Sequence, residues 1–149
     1  VAIQRMDHVS LVVGDIDAAI AFFLELGMDV EGTAPVEGSW VDRVNGIDEV
    51  RVQITMMRTP DGNGRIELTK FRSPDVIRAE PAPAPPNTLG LRSIMFAVDD
   101  LDDTVARLRG HEAELIGTVE QYEDAYRLCY VRGPEGIIIA LAEPLPHSG

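Results

Sequence analysis

In the run RIELTKF, residues 65–71, a carboxylate stands between two aliphatic side chains: Glu67 lies between Ile66 and Leu68. Successive side chains of a strand point to opposite faces, so Ile66 and Leu68 share one side while Arg65, Glu67 and Thr69 share the other. A carboxylate turned into an apolar core is costly, and Glu67 is therefore expected to face water, a cation or a substrate. His8 heads a second alternating run, HVSLVV, residues 8–13. There His8, Ser10 and Val12 fall opposite Val9, Leu11 and Val13. An imidazole at a strand start serves either as a hydrogen-bonded structural group or as a ligand, and both readings stand.

Other residues offer less chemistry. Met57, Met95, Leu128 and Tyr130 sit in alternating apolar runs that line a ligand cavity or form ordinary core. Cys129 lies between Leu128 and Tyr130 in an apolar strand-like run, which marks a buried structural thiol rather than a nucleophile. Glu123 and Asp124 read as turn residues before a strand. His111 and His147 read as surface residues. The chain has no GxSxG elbow, no GxxxxGK[ST] loop and no CxxC pair, so hydrolase, kinase and redox-cofactor chemistry find no residues to use.

The elements that must place these groups come in a repeated order. DHVSLVVGDIDAAIAFF, from Asp7, is followed much later by RSIMFAVDDLDDTVARL, from Arg92. In the first copy the strand gives way to a helix with Asp15 as N-cap, a stripe of Ile16, Ala19, Ile20, Phe23 and Leu24, and a stop at Gly27. Met28 to Gly32 reads as a short strand and Thr33 to Asp48 as a loop or short helix. VRVQITMMR and RIELTKF then form a hairpin across DGNG, residues 61–64. In the second copy Ser93, Met95 and Ala97 alternate with Ile94, Phe96 and Val98. Asp100 and Asp103 resemble a capping box, Leu101, Val105 and Leu108 make the stripe, and Gly110 ends the helix. AELIGTV, YRLCYVR and IIIALAE supply three more strands, with a GPEG turn between the last two. Between the halves, PDVIRAEPAPAPPN forbids continuous helix or central strand.

The expected fold is therefore α+β: two tandem βαβββ modules forming a curved mixed sheet with helices on the convex side. Module one spans 5–72, the linker 73–90 and module two 91–143, within a single domain of 1–149. A chain of 149 residues, 45% hydrophobic and 26% charged, is long enough to bury one sizeable core. Its formal charge of -12, with no basic cluster, repels phosphate backbones and anionic lipid, so neither nucleic acid nor membrane is expected as a partner. One cysteine permits no intrachain disulfide, and no apolar run approaches the roughly 18 residues of a membrane helix. A cytoplasmic protein is the expectation.

The paired openings, together with the DGNGRIEL and GPEGIIIAL hairpins, resemble the vicinal oxygen chelate superfamily of glyoxalase I, bleomycin-resistance proteins and extradiol dioxygenases. The resemblance covers nearly the whole chain apart from the linker and the tail after Glu143. It implies metal ligands on the first and last strands of each module, commonly two His and two Glu around a divalent ion. His8 and Glu67 match that pattern in module one. Ser93 and Ala140 stand at the other two positions, and neither is a competent ligand; Gln121 or Glu123 in the QYEDAY loop are candidates to complete the set.

The resemblance further implies an isomerase or lyase that moves a proton next to a carbonyl, since only one histidine is left for the iron set of a dioxygenase. Glu67 would be general base or metal ligand and His8 a ligand or polariser, with Ser10, Met57, Ser93, Met95 and Tyr130 around the substrate. The alternative is a metal-free binding protein of the bleomycin-resistance type, which holds an apolar or aromatic ligand by burial and stacking. A homodimer is expected in either case, from the resemblance and from sheet edges that need covering.

Overall fold

The computed structural model describes residues 2–146. His147, expected at the surface, lies outside them. The chain divides into two compact units, Val1–Ile77 and Arg78–Gly149.

In the first unit, β1 (Val9–Val12) leads into α1 (Ile16–Leu26), β2 (Asp29–Glu37), α2 (Ser39–Asn45), β3 (Arg51–Arg58) and β4 (Arg65–Ser73). The strands form a mixed sheet in the order β1-β4-β3-β2, with β1 parallel to β4 and the other pairs antiparallel. In the second unit, β5 (Ser93–Ala97), α3 (Leu101–Arg109), β6 (Glu120–Tyr122), β7 (Tyr126–Arg132) and β8 (Ile138–Pro144) repeat the plan as β5-β8-β7-β6. The α+β class and the tandem βαβββ modules are as the repeat implies. The pairing is divided between two four-stranded sheets, one per module, where the sequence reading draws one.

Capping follows the local chemistry. The Asp15 carboxylate accepts from the Ala18 amide at 3.0 Å, and α1 stops at Gly27, whose φ of 117° is open to glycine and strained for other residues. Asp100 accepts from the Asp103 amide at 3.0 Å, and Glu143 of β8 accepts from the Leu101 amide at 2.8 Å, so the start of α3 is pinned to its own sheet.

α1 packs on β4 and β2, and its buried side is Ile16, Ala19, Phe22 and Phe23 rather than the expected stripe. Phe22 replaces Leu24, which is exposed, because the two phenylalanines pack edge to face with ring centroids 5.1 Å apart. Beneath α1 lie Leu11, Val13, Ile66 and Leu68, as alternation requires. In the second unit Leu101, Val105 and Leu108 of α3 are buried with Val131, Ile139 and Leu141 of the strands below.

Two elements differ from expectation, and a third, read as loop or short helix, forms the short helix. β2 runs through Thr33 to Glu37 instead of stopping at Gly32, pairing with β3 as far as Glu37↔Arg51. As the edge strand of its sheet it tolerates Pro35. α2, left open by the sequence, packs Val41 on Val50 and Val52, with Val36, Ile54 and Phe71 around them. AELIGTV is not a strand. It carries one bridge, Leu115↔Val131, and bonds from the Ile116 amide to Tyr130 and from the Arg132 amide to Glu114 hold it irregularly along β7, while the ladder begins at Glu120. The proline linker is seated on the second unit, where the Arg132 guanidinium donates to the Ala84 carbonyl at 2.8 Å and the Gly136 carbonyl at 2.9 Å.

Leu68→Ala removes a fully buried side chain and is expected to cost about 2–5 kcal/mol, whereas Asp100→Ala removes a cap worth about 1 kcal/mol. Urea unfolding measures both, and equal costs contradict this division. The Arg127 guanidinium beside Asp102 holds its carboxyl below the usual carboxylate range. Because the folded value is depressed, this tie between α3 and β7 is intact above the unfolded value and is lost as pH falls through the folded one. Carboxyl NMR of Asp102 should show an early-ionising group in the parent and the ordinary value in Arg127→Gln; the same value in both removes the tie.

Candidate functional site

The face of the first sheet opposite α1 carries the candidate groups. Register sets Ser10 of β1 beside Glu67 of β4, and Glu67 opposite Met56 of β3. One oxygen of Glu67, Oε1, receives the Ser10 hydroxyl at 2.7 Å and the Thr69 hydroxyl at 2.9 Å. The other, Oε2, lies 3.4 Å from His8 Nε2. The Glu67 side chain is 20% exposed and that of His8 29%, so both are sheltered yet reachable.

His8 stands just before β1, where the chain is no longer tied into the ladder and the ring is set by its neighbours. Its Nδ1 is 2.7 Å from Asp7 Oδ2. Asp7 also accepts from Arg5 and from Arg65, each at 3.1 Å. These hydrogen bonds, with His8 first and Arg5 next, hold the Asp7 carboxyl below its ordinary range. Arg65 in turn grips Glu31 through Nε at 3.1 Å and Nη2 at 2.7 Å, which lowers the Glu31 carboxyl and raises the guanidinium. Glu31 is the extra residue of a bulge between Val30 and Gly32, the kind of irregularity that re-aims a side chain.

Farther along the same face the lining becomes apolar. Thr69 is paired with Ile54 and Phe71 with Val52, and there α2 closes over the strands. Charged and polar groups thus hold one end and aliphatic and aromatic ones the other.

His8, Ser10 and Glu67, three residues expected at the site, are brought together. Ser10 spends its hydroxyl on Glu67, which makes it a support for the carboxylate. Met57 is a correction: it pairs with Ile66, is fully buried under the helix-covered face, and leaves Met56 as the methionine beside Glu67. The one-residue error arose because both methionines are apolar and only the pairing register separates them. In the second unit, Ser93, Met95 and Tyr130 lie on the corresponding face, with Met95 and Tyr130 flanking Ala140 where module one has Ser10 and Met56 flanking Glu67. Met95 and Tyr130 are 52% and 38% exposed. Gln121 donates to the Glu123 carbonyl inside the turn joining β6 and β7, and Glu123 has a left-handed φ of 48°, as a turn residue would. Cys129 is buried, and burial pushes its thiol up, consistent with a structural role.

The implied metal finds only part of its donor set. His8 presents Nε2 with Nδ1 anchored on a carboxylate, and Glu67 presents Oε2 with Oε1 anchored on hydroxyls; that is how ligands are oriented from behind. The set stops at two, however, short of the three protein ligands a catalytic ion takes, and among the described residues no group of three or more His, Cys, Asp or Glu is placed to hold a metal. The residues of this face do not fit the ion by themselves.

Sequence reasoning missed Asp7, Glu31 and Arg65 as a network, and Met56. The alternation of RIELTKF had put Arg65 on the right face, but its partners come from a loop and a bulge that periodicity does not mark. Among the described residues no helix is long and apolar enough to cross a membrane.

The comparisons agree with this architecture. The model of the Glyoxalase/Bleomycin resistance protein/Dioxygenase superfamily matches residues 5–141. No curated protein is similar enough in sequence to count as a match. The chain is similar to a glyoxalase family protein from Bacillus cereus, with 53% identity, coverage of 97% of this chain and 96% of that one, and a TM-score of 0.92. The trypanothione-dependent glyoxalase I of Leishmania major is 22% identical over 94% of this chain and 86% of that one, with a TM-score of 0.64. An antibiotic-binding protein from a Streptomyces species is 21% identical over 97% and 98%, with a TM-score of 0.59. The last two share the fold alone. With the family model spanning both modules, the chain belongs to the Glyoxalase/Bleomycin resistance protein/Dioxygenase superfamily.

Proposed function

We propose that this chain is a glyoxalase-like small-molecule enzyme, an isomerase or lyase that moves a proton next to a carbonyl. The observation that supports it is the Glu67 carboxylate, fixed through Oε1 by two hydroxyls and left with Oε2 facing His8 at 3.4 Å. In this reading Oε2 takes the proton from the hydroxyl-bearing carbon beside the carbonyl and returns it to the former carbonyl carbon, while the hydroxyl proton passes by way of His8 Nε2 to the former carbonyl oxygen, so no group is consumed. His8 Nε2 holds an oxygen-bearing group of the substrate alongside. The apolar stretch of Ile54 and Phe71 accommodates the rest of the molecule. The step uses only side chains of this face, because His8 and Glu67 together fall short of the three protein ligands of a catalytic ion.

A second reading, a metal-free small-molecule binding protein, rests on a separate observation. Met95 and Tyr130 flank a small residue, Ala140, on a face that offers apolar and aromatic contact in place of a carboxylate.

Incubation with a panel of α-hydroxy aldehydes and ketones in D2O separates the two. The enzyme reading predicts deuterium at the carbon next to the carbonyl, and a loss of about 10²–10⁴-fold in Glu67→Gln, whose amide keeps the shape and can still accept from Ser10 and Thr69. Equal incorporation in Glu67→Gln removes that residue from the mechanism. Stabilisation of the fold by aromatic ligands, with no deuterium incorporated from any member of the panel, favours the binder.

A further inference from the structure

We infer that Arg65 is a positioning residue: by clamping Asp7 between itself and His8, it fixes which ring nitrogen of His8 carries the hydrogen and thereby makes Nε2 a proton acceptor beside Glu67. The inference rests on the reading of His8 and Glu67 as the reactive pair and adds a requirement on the substrate.

An ionised carboxylate accepts hydrogen bonds and donates none. Asp7 Oδ2, 2.7 Å from His8 Nδ1, therefore favours the ring hydrogen on Nδ1, and in the tautomer so selected the lone pair is on Nε2. That lone pair faces Glu67 Oε2 at 3.4 Å, and Oε2 is itself an acceptor. Two acceptors side by side can each meet a different hydrogen of one substrate. The substrate must then bring a hydroxyl. An α-hydroxy carbonyl compound fits: its hydroxyl donates to Nε2 while the adjacent C–H faces Oε2.

Asp7 has little of its own to keep it in place. It precedes β1, is 46% exposed, and its other small anchor, Arg5, is 72% exposed. Arg65 is different. It sits on β4, is 27% exposed, and its guanidinium is held on its far side by two hydrogen bonds to Glu31. Its Nη1 reaches the same Asp7 oxygen that meets His8, at 3.1 Å. The rigid fork of arginine carries orientation from the bulge of β2 across the sheet to the imidazole. In the second module Ile138 occupies the position matching Arg65, and Ser93 that matching His8, so the clamp and the ring it orients are both missing there.

Long-range proton–nitrogen NMR on protein labelled with 15N-histidine reads the His8 tautomer directly, with the His8 signals assigned by their loss in His8→Gln. The parent should hold the hydrogen on Nδ1. In Arg65→Gln the ratio of the two tautomers should move about tenfold toward Nε2–H, the scale of one lost charge-assisted hydrogen bond. Arg65→Lys should recover part of it, and Arg107→Gln, an ion-pair variant on α3, should leave it as in the parent. Deuterium incorporation in Arg65→Gln should fall about tenfold in kcat with KM little changed. An unchanged tautomer ratio in folded Arg65→Gln and Arg65→Lys overturns the inference. A shifted ratio in protein whose parent incorporates no deuterium upholds the positioning and instead removes the Glu67 reading.

Discussion

The constraint that organises the first module is a carboxylate on a strand whose two neighbours are core. Ile66 and Leu68 must be buried under α1, so Glu67 has no choice of face, and it cannot swing far without pulling the strand out of register. A sheltered carboxylate needs hydrogen-bond partners, and two are supplied at one oxygen by Ser10 from the parallel neighbour and Thr69 from two residues along its own strand. The consequence is asymmetry. One oxygen is satisfied by the protein, and the other is turned toward His8 and whatever lies between them.

The remaining polar groups serve that asymmetry from behind. Asp7 orients His8, Arg65 orients Asp7, and Glu31, displaced by a bulge, orients Arg65. Each link is exposed enough that, taken as an isolated ion pair, it would add little to stability. Their value lies in geometry. The second module keeps the same strands, the same capped helix and the same core positions, yet Ser93 and Ala140 stand where His8 and Glu67 do in the first. Fold and polar site are thus separable in one chain: the repeat preserves what packing needs, and the histidine–glutamate pair occurs in one copy of it.

Much of this was legible in the residues themselves. Period-2 alternation put Glu67, Thr69, Ser10 and His8 on one face and Ile66, Leu68, Leu11 and Val13 on the other, because burial on one side leaves a strand no second solution. Asp15, Gly27 and Asp100 announced the helix ends through their own hydrogen-bonding chemistry. What stayed hidden depends on partners distant in sequence. Met56 and Met57 are interchangeable until β3 is paired with β4. AELIGTV has strand-like residues but receives only scattered bonds along β7. The length of β2 is set by its ladder with β3, and Glu31 enters the site only because that ladder slips by one residue.

The most direct test of the fixed carboxylate leaves Glu67 intact and removes what fixes it. In a Ser10→Ala/Thr69→Val variant, Oε1 loses both hydroxyl partners while Ile66 and Leu68 keep the strand in place. Orientation of the carboxylate predicts that solvent deuterium incorporation into an α-hydroxy carbonyl compound falls by about 10–100-fold in protein that still folds. A rate equal to that of the parent chain would contradict the account.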